Sequence, residues 1–326
     1  MEKENRKTLD CSIIIVNFKD YKMIDNCIES IIRYTESIEY EIIVVDNASE
    51  GDRIDRIRDK YQCVEIIKNK ENIGFAAANN QGIRIAKGKF LLLLNNDTLF
   101  LENSLKKIID FVQGKQEDLV LGCKILNADK SRQVSVWEFD NALNLISESL
   151  FIYKLFPTSK LLNRFYLNYI DLKEPVEVDA VKGCFLFCAN ITAKRLNGLD
   201  ERFYFYMEET DFCYRLKKTG GKVYFFPGSE IIHLDGASTE NVQWFKFKNQ
   251  TIAKIQFFQK HAGRGLKFFV LLSSYYLGIL LRIFVYLVIG CLRFNKQMLK
   301  KSVFYLRELT IYPANRFSEE ARTKNI

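Results

Sequence analysis

The sequence contains little Pro, Gly and His, the residues that are frequent in linkers and in structural metal sites. Its 326 residues include four Pro and 16 Gly, which excludes a collagen-like or linker-dominated chain. It has two His, and none of its eight Cys lies in a C-x-x-C pair, so we expect no structural zinc site. Several Cys lie inside apolar runs, where a free thiol packs as a small apolar group, and this indicates a reducing compartment.

Two phosphate-binding motifs are also absent. No G-x-G-x-x-G follows the first apolar run, and G-x-x-x-x-G-K-[ST] occurs nowhere in the sequence. The sequence therefore does not favour a dinucleotide-dependent redox enzyme or a P-loop enzyme that transfers phosphoryl groups. The first ten residues are largely charged and polar, and the apolar run that follows is short, so we expect no secretory signal.

Acidic residues are scarce in the C-terminal region. Residues 241–326 contain 15 Lys and Arg against three Asp and Glu, a net charge of +12, whereas the whole chain carries +8. Residues 1–240 are therefore acidic, with a net charge of −4. An acidic body with a basic tail indicates that the tail meets an anionic partner.

Apolar runs alternate with segments of helical periodicity over the first 240 residues, which predicts an α/β fold with a mostly parallel sheet and helices on both faces. Residues 135–175 show no regular pattern, and the pattern after 241 is helical. The predicted strands are 11–18, 41–45, 64–67, 90–94, 119–123, 182–189, 223–226 and 230–233. The predicted helices include 74–85, 102–112 and 208–218, with an earlier one around 24–32.

Polar side chains follow three of the predicted strands. Asn17 follows the first, Asp46 and Asn47 follow the second, and 95–97 (Asn-Asn-Asp) follows the fourth. Because ligands bind beyond the carboxyl ends of strands in open parallel sheets, these side chains predict a polar crevice at that edge. The alternative is that they cap the helices that follow.

Seven segments stand in a recognisable order along the chain: SIIIVNF, EIIVVDNAS, ENIGFAAANNQGI, LLLLNNDT, VDAVKGCFLF, GLDERFYFYMEETDFCYR and IIHLDGAS. In this order they resemble family 2 glycosyltransferases of the GT-A fold, and in particular the bacterial rhamnosyltransferase-like branch. The resemblance implies a Rossmann-like GT-A catalytic domain over residues 1–240, followed by a basic helical region over 241–326. It also implies an inverting enzyme that moves a sugar, with rhamnose as one candidate, from a nucleotide-diphosphate donor to an acceptor hydroxyl.

The resemblance implies a nucleotide-sugar site on the strand ends and on the helix predicted at 74–85. Phe18 would lie against the base, and Asp46 would form a hydrogen bond with it. The other implied contacts with the donor are Gly74, Asn80, Asn95 and Asn96.

The resemblance also implies a metal site. Asp97 ends the segment that stands where the family has its D-x-D motif, so it would bind Mg²⁺ or Mn²⁺, and His233 would complete the metal or diphosphate shell. This sequence keeps one carboxylate of a possible two in that motif. A divalent cation neutralises the charge that develops on the leaving phosphate, and both metals prefer oxygen ligands.

The catalytic base is implied by a pair of acids. Where the family usually has Glu-Asp, this sequence has Glu208 and Glu209, which places the base on Glu209 and keeps Glu208 as the other candidate. Asp179 and Asp211 are weaker candidates for contacts with the acceptor or donor sugar. The alternative for the acids at 208–211 is helix capping, and Arg215 is placed to pair with Asp211 four residues earlier.

The C-terminal region contains an apolar segment, 268–292, interrupted only by Arg282. It is long enough to span a bilayer, but basic residues flank both ends, so we expect peripheral or monotopic attachment to the anionic cytoplasmic face of the cell membrane. Either a helix broken near Gly278 dips in and returns, or a helix lies in the interface. The alternative is a helix pair that packs on the catalytic domain or on a second copy, giving a homo-oligomer. Nucleic-acid binding is not favoured.

A membrane-held transferase would act on a lipid-linked or cell-surface polysaccharide. Two other functions compete with it. The single carboxylate of the metal motif suggests a catalytically degenerate, membrane-bound scaffold with a GT-A domain. The second is a nucleotidyltransferase, which would need a Gly-rich basic loop after the first strand. Residues 17–20, Asn-Phe-Lys-Asp, contain no Gly, so this function is not favoured.

Overall fold

Strands and helices alternate along the chain and are followed by three C-terminal helices. The computed structural model describes residues 9–51, 53–115, 118–163, 167, 173–234 and 240–309. The strands are β1 Cys11–Asn17, β2 Tyr40–Asp46, β3 Val64–Lys68, β4 Phe90–Asn95, β5 Thr98–Phe100, β6 Leu119–Leu126, β7 Val136–Trp137, β8 Val176–Val178, β9 Ala180–Val181, β10 Phe185–Ala189 and β11 Lys222–His233. The helices are α1 Tyr21–Tyr34, α2 Arg53–Lys60, α3 Phe75–Ile85, α4 Ser104–Val112, α5 Ala142–Ser149, α6 Ile152–Leu155, α7 Asn190–Arg195, α8 Glu208–Lys218, α9 Glu240–Ala262, α10 Leu266–Leu292 and α11 Lys296–Glu308.

The chain divides into two compact units. The first comprises residues 1–136, 172–204 and 208–236, and the second comprises 137–171, 205–207 and 237–326. The division from sequence, at residue 240, left 137–171 in the first region, because that segment had no pattern that linked it to the C-terminal helices. In the structure it carries α5, which packs on α10.

Nine of the described strands form one sheet in the first unit. The order is β3-β2-β1-β4-β10-β6-β11-β5, with β8 also paired to β11. The β3-β2-β1-β4 half is parallel, β6 and β11 are parallel to each other, and β10 lies antiparallel between β4 and β6. The predicted α/β class is confirmed.

Helices cover both faces of this sheet, which explains the continuous apolar runs. All seven residues of β1 are buried. Ile13 and Ile15 belong to a core cluster with α1, α2 and α4, whereas Ile14 points to the opposite face and lies against α3 at Gly82. Since neighbouring side chains on a strand point to opposite faces, a strand that is covered on both sides needs an apolar residue at every position.

The register of the parallel strands brings their polar ends together. Asn17 is paired with Asp46 across β1 and β2, and Val16 is paired with Asn95 across β1 and β4. The side chains that cap α1 and α4 are Asp20 and Asn103, which accept hydrogen bonds from helix N–H groups. The capping alternative is therefore wrong for the polar residues that end β1 and β4.

In the second unit, α10 is one continuous helix of 27 residues. Of the two arrangements considered for this segment, the helix broken near Gly278 is therefore wrong. Gly278 instead lets α10 approach α5 closely, because a Cβ at this position would collide with the Ser149 side chain. Arg282, the one charge in the apolar segment, pairs with Glu148 of α5 at 3.0 Å.

Candidate active site

Three side chains at the ends of β1, β2 and β4 form one hydrogen-bonded series. Asn17 Nδ2 donates to Asp46 Oδ1 at 3.0 Å, and Asn96 Nδ2 donates to Asn17 Oδ1 at 2.9 Å. The other oxygen of Asp46 accepts from the Ser49 N–H at 3.2 Å. Asn17 and Asp46 are buried, and Phe18, the next residue, is half-buried. The amide of Asn17 therefore orients Asp46 and links it to the segment that carries Asp97.

Asp97 and His233 lie side by side. Asp97 Oδ1 is 3.3 Å from His233 Nε2, and Asn95 Nδ2 is 3.4 Å from the same nitrogen. The Leu234 N–H donates to the carbonyl oxygen of Asp97 at 2.9 Å, which fixes the two segments to each other. Burial alone would raise the pKa of Asp97, but the hydrogen bond with His233, the positive charge that this ring can carry, a backbone hydrogen bond and the Lys182 charge together lower that pKa.

Lys182 and Gln133 contact the other side of the imidazole ring. Gln133 Oε1 is 3.1 Å from His233 Nδ1 and accepts from Lys182 Nζ at 2.7 Å. Lys182 Nζ is itself 3.4 Å from Nδ1. The next residue, Gly183, lies against Glu209: a Cβ at Gly183 would be 3.3 Å from the Cβ of Glu209. A continuous series of contacts therefore joins Asp97 to Glu209.

The two acids at the start of α8 differ in exposure and in pKa. Glu208 is 4% exposed, and burial, followed by the nearby charge of Glu209, raises its pKa well above the ordinary value. Glu209 is half-buried. Burial raises the pKa of Glu209 to about 7, against the lowering effects of a backbone hydrogen bond, the Thr210 hydroxyl and the Lys182 charge. Of the two acids, Glu209 is thus the less buried one and the one whose pKa lies near neutral pH.

The buried carboxyl of Glu208 is expected to make stability depend on pH. Above the ordinary pKa of 4.5 the unfolded chain loses this proton while the folded chain keeps it. The free energy of unfolding then falls with rising pH, by about 1.4 kcal/mol per unit, until the folded-state pKa is reached. Glu208→Gln removes this dependence, so urea unfolding should show the variant to be more stable than wild type at pH 8 and equal to it below pH ~4.5.

Glu65→Gln is the matched control for that experiment, because Glu65 is exposed. It should follow the wild-type pH dependence. Parallel stability curves for wild type and Glu208→Gln would show that Glu208 is ionised in the folded chain, which would contradict the raised pKa.

Asp97 and His233 are a suitable but sparse pair of metal ligands. A carboxylate oxygen and a neutral imidazole nitrogen 3.3 Å apart suit Mn²⁺, and Mg²⁺ also prefers carboxylate oxygen. In the part of the chain that the structure describes, no group of three or more His, Cys, Asp or Glu could hold a metal ion. A cation here would complete its shell with diphosphate oxygens and water, as these metals commonly do.

The family model for "Glycosyl transferase family 2" matches residues 12–188, more than half of the chain. The chain belongs to glycosyl transferase family 2. The matched range contains the strand-end residues, the segment at 95–97, Gln133 and Lys182. The resemblance inferred from the seven segments is therefore confirmed.

Named relatives of this family 2 chain act in several kinds of glycan synthesis. A poly(ribitol-phosphate) beta-glucosyltransferase of Bacillus spizizenii is 27% identical over 207 residues, 61% of this chain and 32% of that protein. The rhamnosyltransferase WbbL of Escherichia coli is 25% identical over 229 residues, 68% of this chain and 82% of that protein. The low-salt glycan biosynthesis hexosyltransferase Agl10 of Haloferax volcanii is 24% identical and covers 78% of both chains.

The chain spans between 32% and 50% of the length of the first curated relatives that it matches. Among solved structures, it resembles GalNAc-T7, whose crystal structure contains UDP, GalNAc and Mn²⁺. The TM-score is 0.54 at 15% identity, over 80% of this chain and 53% of that one. This similarity shows the fold, and the expected GT-A architecture is confirmed.

Gly74 and Asn80 of this family 2 chain hold the loop that leads towards α8. Gly74 has a φ of +88°, and a Cβ there would lie 2.7 Å from the Tyr204 ring, so glycine is needed for both the backbone conformation and the close approach. Asn80 Nδ2 donates to the Leu199 carbonyl at 2.8 Å and to Glu201 Oε1 at 3.0 Å. Their roles in nucleotide binding stay predictions, while these contacts give both a structural role.

Asp179 and Asp211 also contact protein groups. Lys217 Nζ donates to Asp179 Oδ1 at 2.7 Å. Asp211 is fully buried and accepts from Arg215 Nε at 2.7 Å, which confirms the predicted pair. Arg215 also donates to the carbonyl oxygens of residues 196 and 198. Contacts of either aspartate with a sugar stay predictions.

Sequence reasoning did not single out Gln133, Lys182 or the orienting role of Asn17. Asn17 was visible as a polar strand end, but its bond to Asp46 depends on the register of β1 and β2. Gln133 stands between the predicted strand 119–123 and the irregular segment 135–175, and belongs to no motif. Lys182 lies inside a recognised segment, VDAVKGCFLF, and a charged residue in that apolar run was the one available signal. Residues 235–239, which include all of DGAS in the last segment, lie outside the described residues.

Proposed function

We propose that this chain transfers a sugar, with inversion, from a nucleotide-diphosphate donor to an acceptor hydroxyl, with the help of a divalent cation. The observation that carries the proposal is the series of contacts from Asp46 through Asn17 and Asn96 to Asp97, and from there through His233 and Lys182 to Glu209. This series supports a site in which Asp46 would meet the nucleotide at one end and the carboxylate of Glu209 would act at the other.

Each part of this series has a task in the proposed reaction. Asp46 accepts hydrogen bonds from the nucleobase, against which Phe18 lies. Asp97 and His233 would hold Mg²⁺ or Mn²⁺, which supplies positive charge to the departing diphosphate. Lys182 adds a fixed positive charge between this end of the site and the acid. Glu209, with a pKa of about 7, takes the proton from the attacking hydroxyl.

A panel of sugar nucleotides, assayed with MnCl₂ and with EDTA, tests the proposal by the release of nucleoside diphosphate. We expect release from one donor or a few related donors, dTDP-rhamnose among those tried, and its loss in EDTA. A chain that releases nucleoside diphosphate from none of them would instead fit the membrane-bound scaffold.

We further propose that α10 lies in the plane of an anionic membrane and does not cross it. By length and composition, Leu266–Leu292 could span a bilayer. Four of its exposed large side chains recur every three or four residues, at Leu277, Leu280, Phe284 and Leu287, and Val270 lies two helical turns before the first of them. These side chains form one apolar stripe.

Two polar residues of α10 are bonded to other helices of the second unit. Arg282 pairs with Glu148 of α5, and Tyr275 donates to Glu308 of α11. Helices α5 and α11 have eight and 13 residues, too few to cross the hydrocarbon core beside α10. Lys and Arg residues around the stripe would each gain about 1 kcal/mol near anionic lipid. An enzyme held there is suited to a lipid-linked or cell-surface polysaccharide acceptor.

Vesicle flotation tests this arrangement. The wild-type chain should float with vesicles that contain phosphatidylglycerol, and the double variant Leu280→Glu/Phe284→Glu should stay in the soluble fraction, because two carboxylates cannot enter the apolar layer. Ile191→Glu is the control, since Ile191 is an exposed apolar residue of the first unit. If wild type stays soluble and light scattering gives a dimer that the double variant lacks, a second copy covers the stripe.

A further inference from the structure

We propose that Gln133, oriented by Lys182, is a positioning residue that keeps a hydrogen on Nδ1 of His233, so that Nε2 faces Asp97 as the nitrogen available to a cation. This inference rests on the proposed function where it concerns the cation. The choice of ring nitrogen follows from the hydrogen bonds of the protein itself.

The first step is the orientation of the Gln133 amide. Gln133 Nε2 donates to the backbone carbonyl of His233 at 2.8 Å, and Oε1 accepts from Lys182 Nζ at 2.7 Å. The flipped amide would place an NH₂ group against an ammonium group and a carbonyl oxygen against a carbonyl oxygen. Since an ammonium group can only donate and a carbonyl can only accept, both contacts would be repulsive. The Lys182 ammonium therefore fixes Oε1 on the side of the imidazole.

The second step is the position of the ring hydrogen. Gln133 Oε1 is 3.1 Å from His233 Nδ1, and a carbonyl oxygen can only accept. Nδ1 therefore carries a hydrogen, and in the neutral ring Nε2 is bare. The side chain of His233 is 5% exposed, so bulk water competes little for either nitrogen. Nε2 lies 3.3 Å from Asp97 Oδ1.

The third step is that the two charged neighbours of the ring favour the opposite tautomer. The Asp97 carboxylate, which can only accept, draws a hydrogen to Nε2. Lys182 Nζ, which can only donate, lies 3.4 Å from Nδ1 and would bond best to a bare Nδ1. Asn95 Nδ2, an amide donor 3.4 Å from Nε2, acts in the same direction as Gln133, because it favours a bare Nε2. Gln133 makes the shortest of these four contacts, at 3.1 Å, and without it the two charges would place the hydrogen on Nε2. Gln133 is therefore the group that decides the tautomer.

Histidine-selective ¹⁵N NMR of the full chain without metal tests this directly, because the chain has two His. The variant His261→Asn identifies the His233 signals. At a pH where the ring is neutral, wild type should show the Nδ1–H tautomer and Gln133→Leu should show mainly Nε2–H. Gln113→Leu, the same change at an exposed position, should match wild type. A wild-type ring with Nε2–H, or an unchanged tautomer in Gln133→Leu, would overturn the proposal.

Titration with MnCl₂ alone, followed by the EPR signal of free Mn²⁺, gives a second readout. Gln133→Leu should raise the Kd for Mn²⁺ by about 10- to 100-fold, the usual effect of losing an outer partner of a metal-bound His. If circular dichroism shows that Gln133→Leu does not fold, Gln133→Met takes its place, because Met is close to Gln in length and has no carbonyl oxygen. It should give mainly the Nε2–H tautomer, and a wild-type spectrum would count against the proposal. A wild-type chain with Nδ1–H that binds no Mn²⁺ contradicts the metal site of the proposed function and leaves the tautomer assignment standing.

Discussion

Replacing Glu209 with Gln is expected to slow sugar transfer by about 10²- to 10⁴-fold, the range that a positioned general base contributes. Gln keeps the shape of the side chain and the hydrogen bond from the Thr210 hydroxyl at 3.3 Å, but it cannot take a proton. The measurement is the rate of nucleoside diphosphate release at pH 8 with the donor found in the panel, since a base with a pKa of about 7 is ionised there.

The pH profile of the same reaction separates a base from a structural acid. A base works only when ionised, so wild-type kcat/KM should rise with pH through about 7 and then level off. The residual activity of Glu209→Gln should lack this step, and Glu65→Gln should reproduce the wild-type profile. Glu208→Gln should cost less than Glu209→Gln, because the raised pKa of Glu208 keeps it neutral already. A larger loss in Glu208→Gln would move the base to that residue.

The fold of the first unit was largely predictable, because most of its strands are buried on both faces and therefore appear as unbroken apolar runs. Helix α8 was predicted with its observed bounds, 208–218. The predicted strands 223–226 and 230–233 are one strand, β11, with an irregular register between Phe226 and Glu230. Pro227 and Gly228 interrupt the apolar pattern there, as proline and glycine do at bulges. The sequence alone does not distinguish one strand with a bulge from two separate strands, because the difference lies in the pairing with β6.

The site was predictable where it depends on parallel strands and not where it depends on long-range contacts. Parallel neighbours end at one edge of a sheet, so the sequence placed Asp46 and Asp97 at that edge. Gln133 reaches His233 because a turn after β6 brings the chain back, with the Gln133 N–H bonded to the Ile125 carbonyl at 2.8 Å. A contact between residues 100 positions apart leaves no periodic signal in the sequence.

The apolar C-terminal segment shows the same limit. Composition identified 268–292 as a long apolar helix and Arg282 as its exception, but it could not say which side of the helix was free. The partner of Arg282 is Glu148, in a segment whose pattern could not be interpreted. Because α5 packs against α10, the charge of Arg282 is paired with Glu148, and one apolar stripe of α10 stays exposed.

Asp97→Asn is expected to lower the rate of transfer by at least about 10²-fold, in line with the loss of one group that stabilises developing charge. Asn is nearly the same size and keeps the backbone bond from Leu234 to residue 97, so the fold should be retained. The change removes a carboxylate whose lowered pKa keeps it ionised beside His233. Remaining activity should no longer respond to added MnCl₂, measured as nucleoside diphosphate release with metal and with EDTA.

Asp110→Asn is the matched control, because Asp110 is exposed on α4 and pairs with Lys106. It should keep both the rate and the response to Mn²⁺. Two results of the Asp97→Asn experiment have different meanings. A slow enzyme that Mn²⁺ still stimulates would show that the cation binds elsewhere, whereas a fully active variant would show that the charge on the diphosphate is met by Lys182 and other fixed groups. In that second case the single carboxylate at 95–97 would be explained by Lys182. A site that already contains a fixed positive charge needs less stabilisation of the diphosphate from a metal ion.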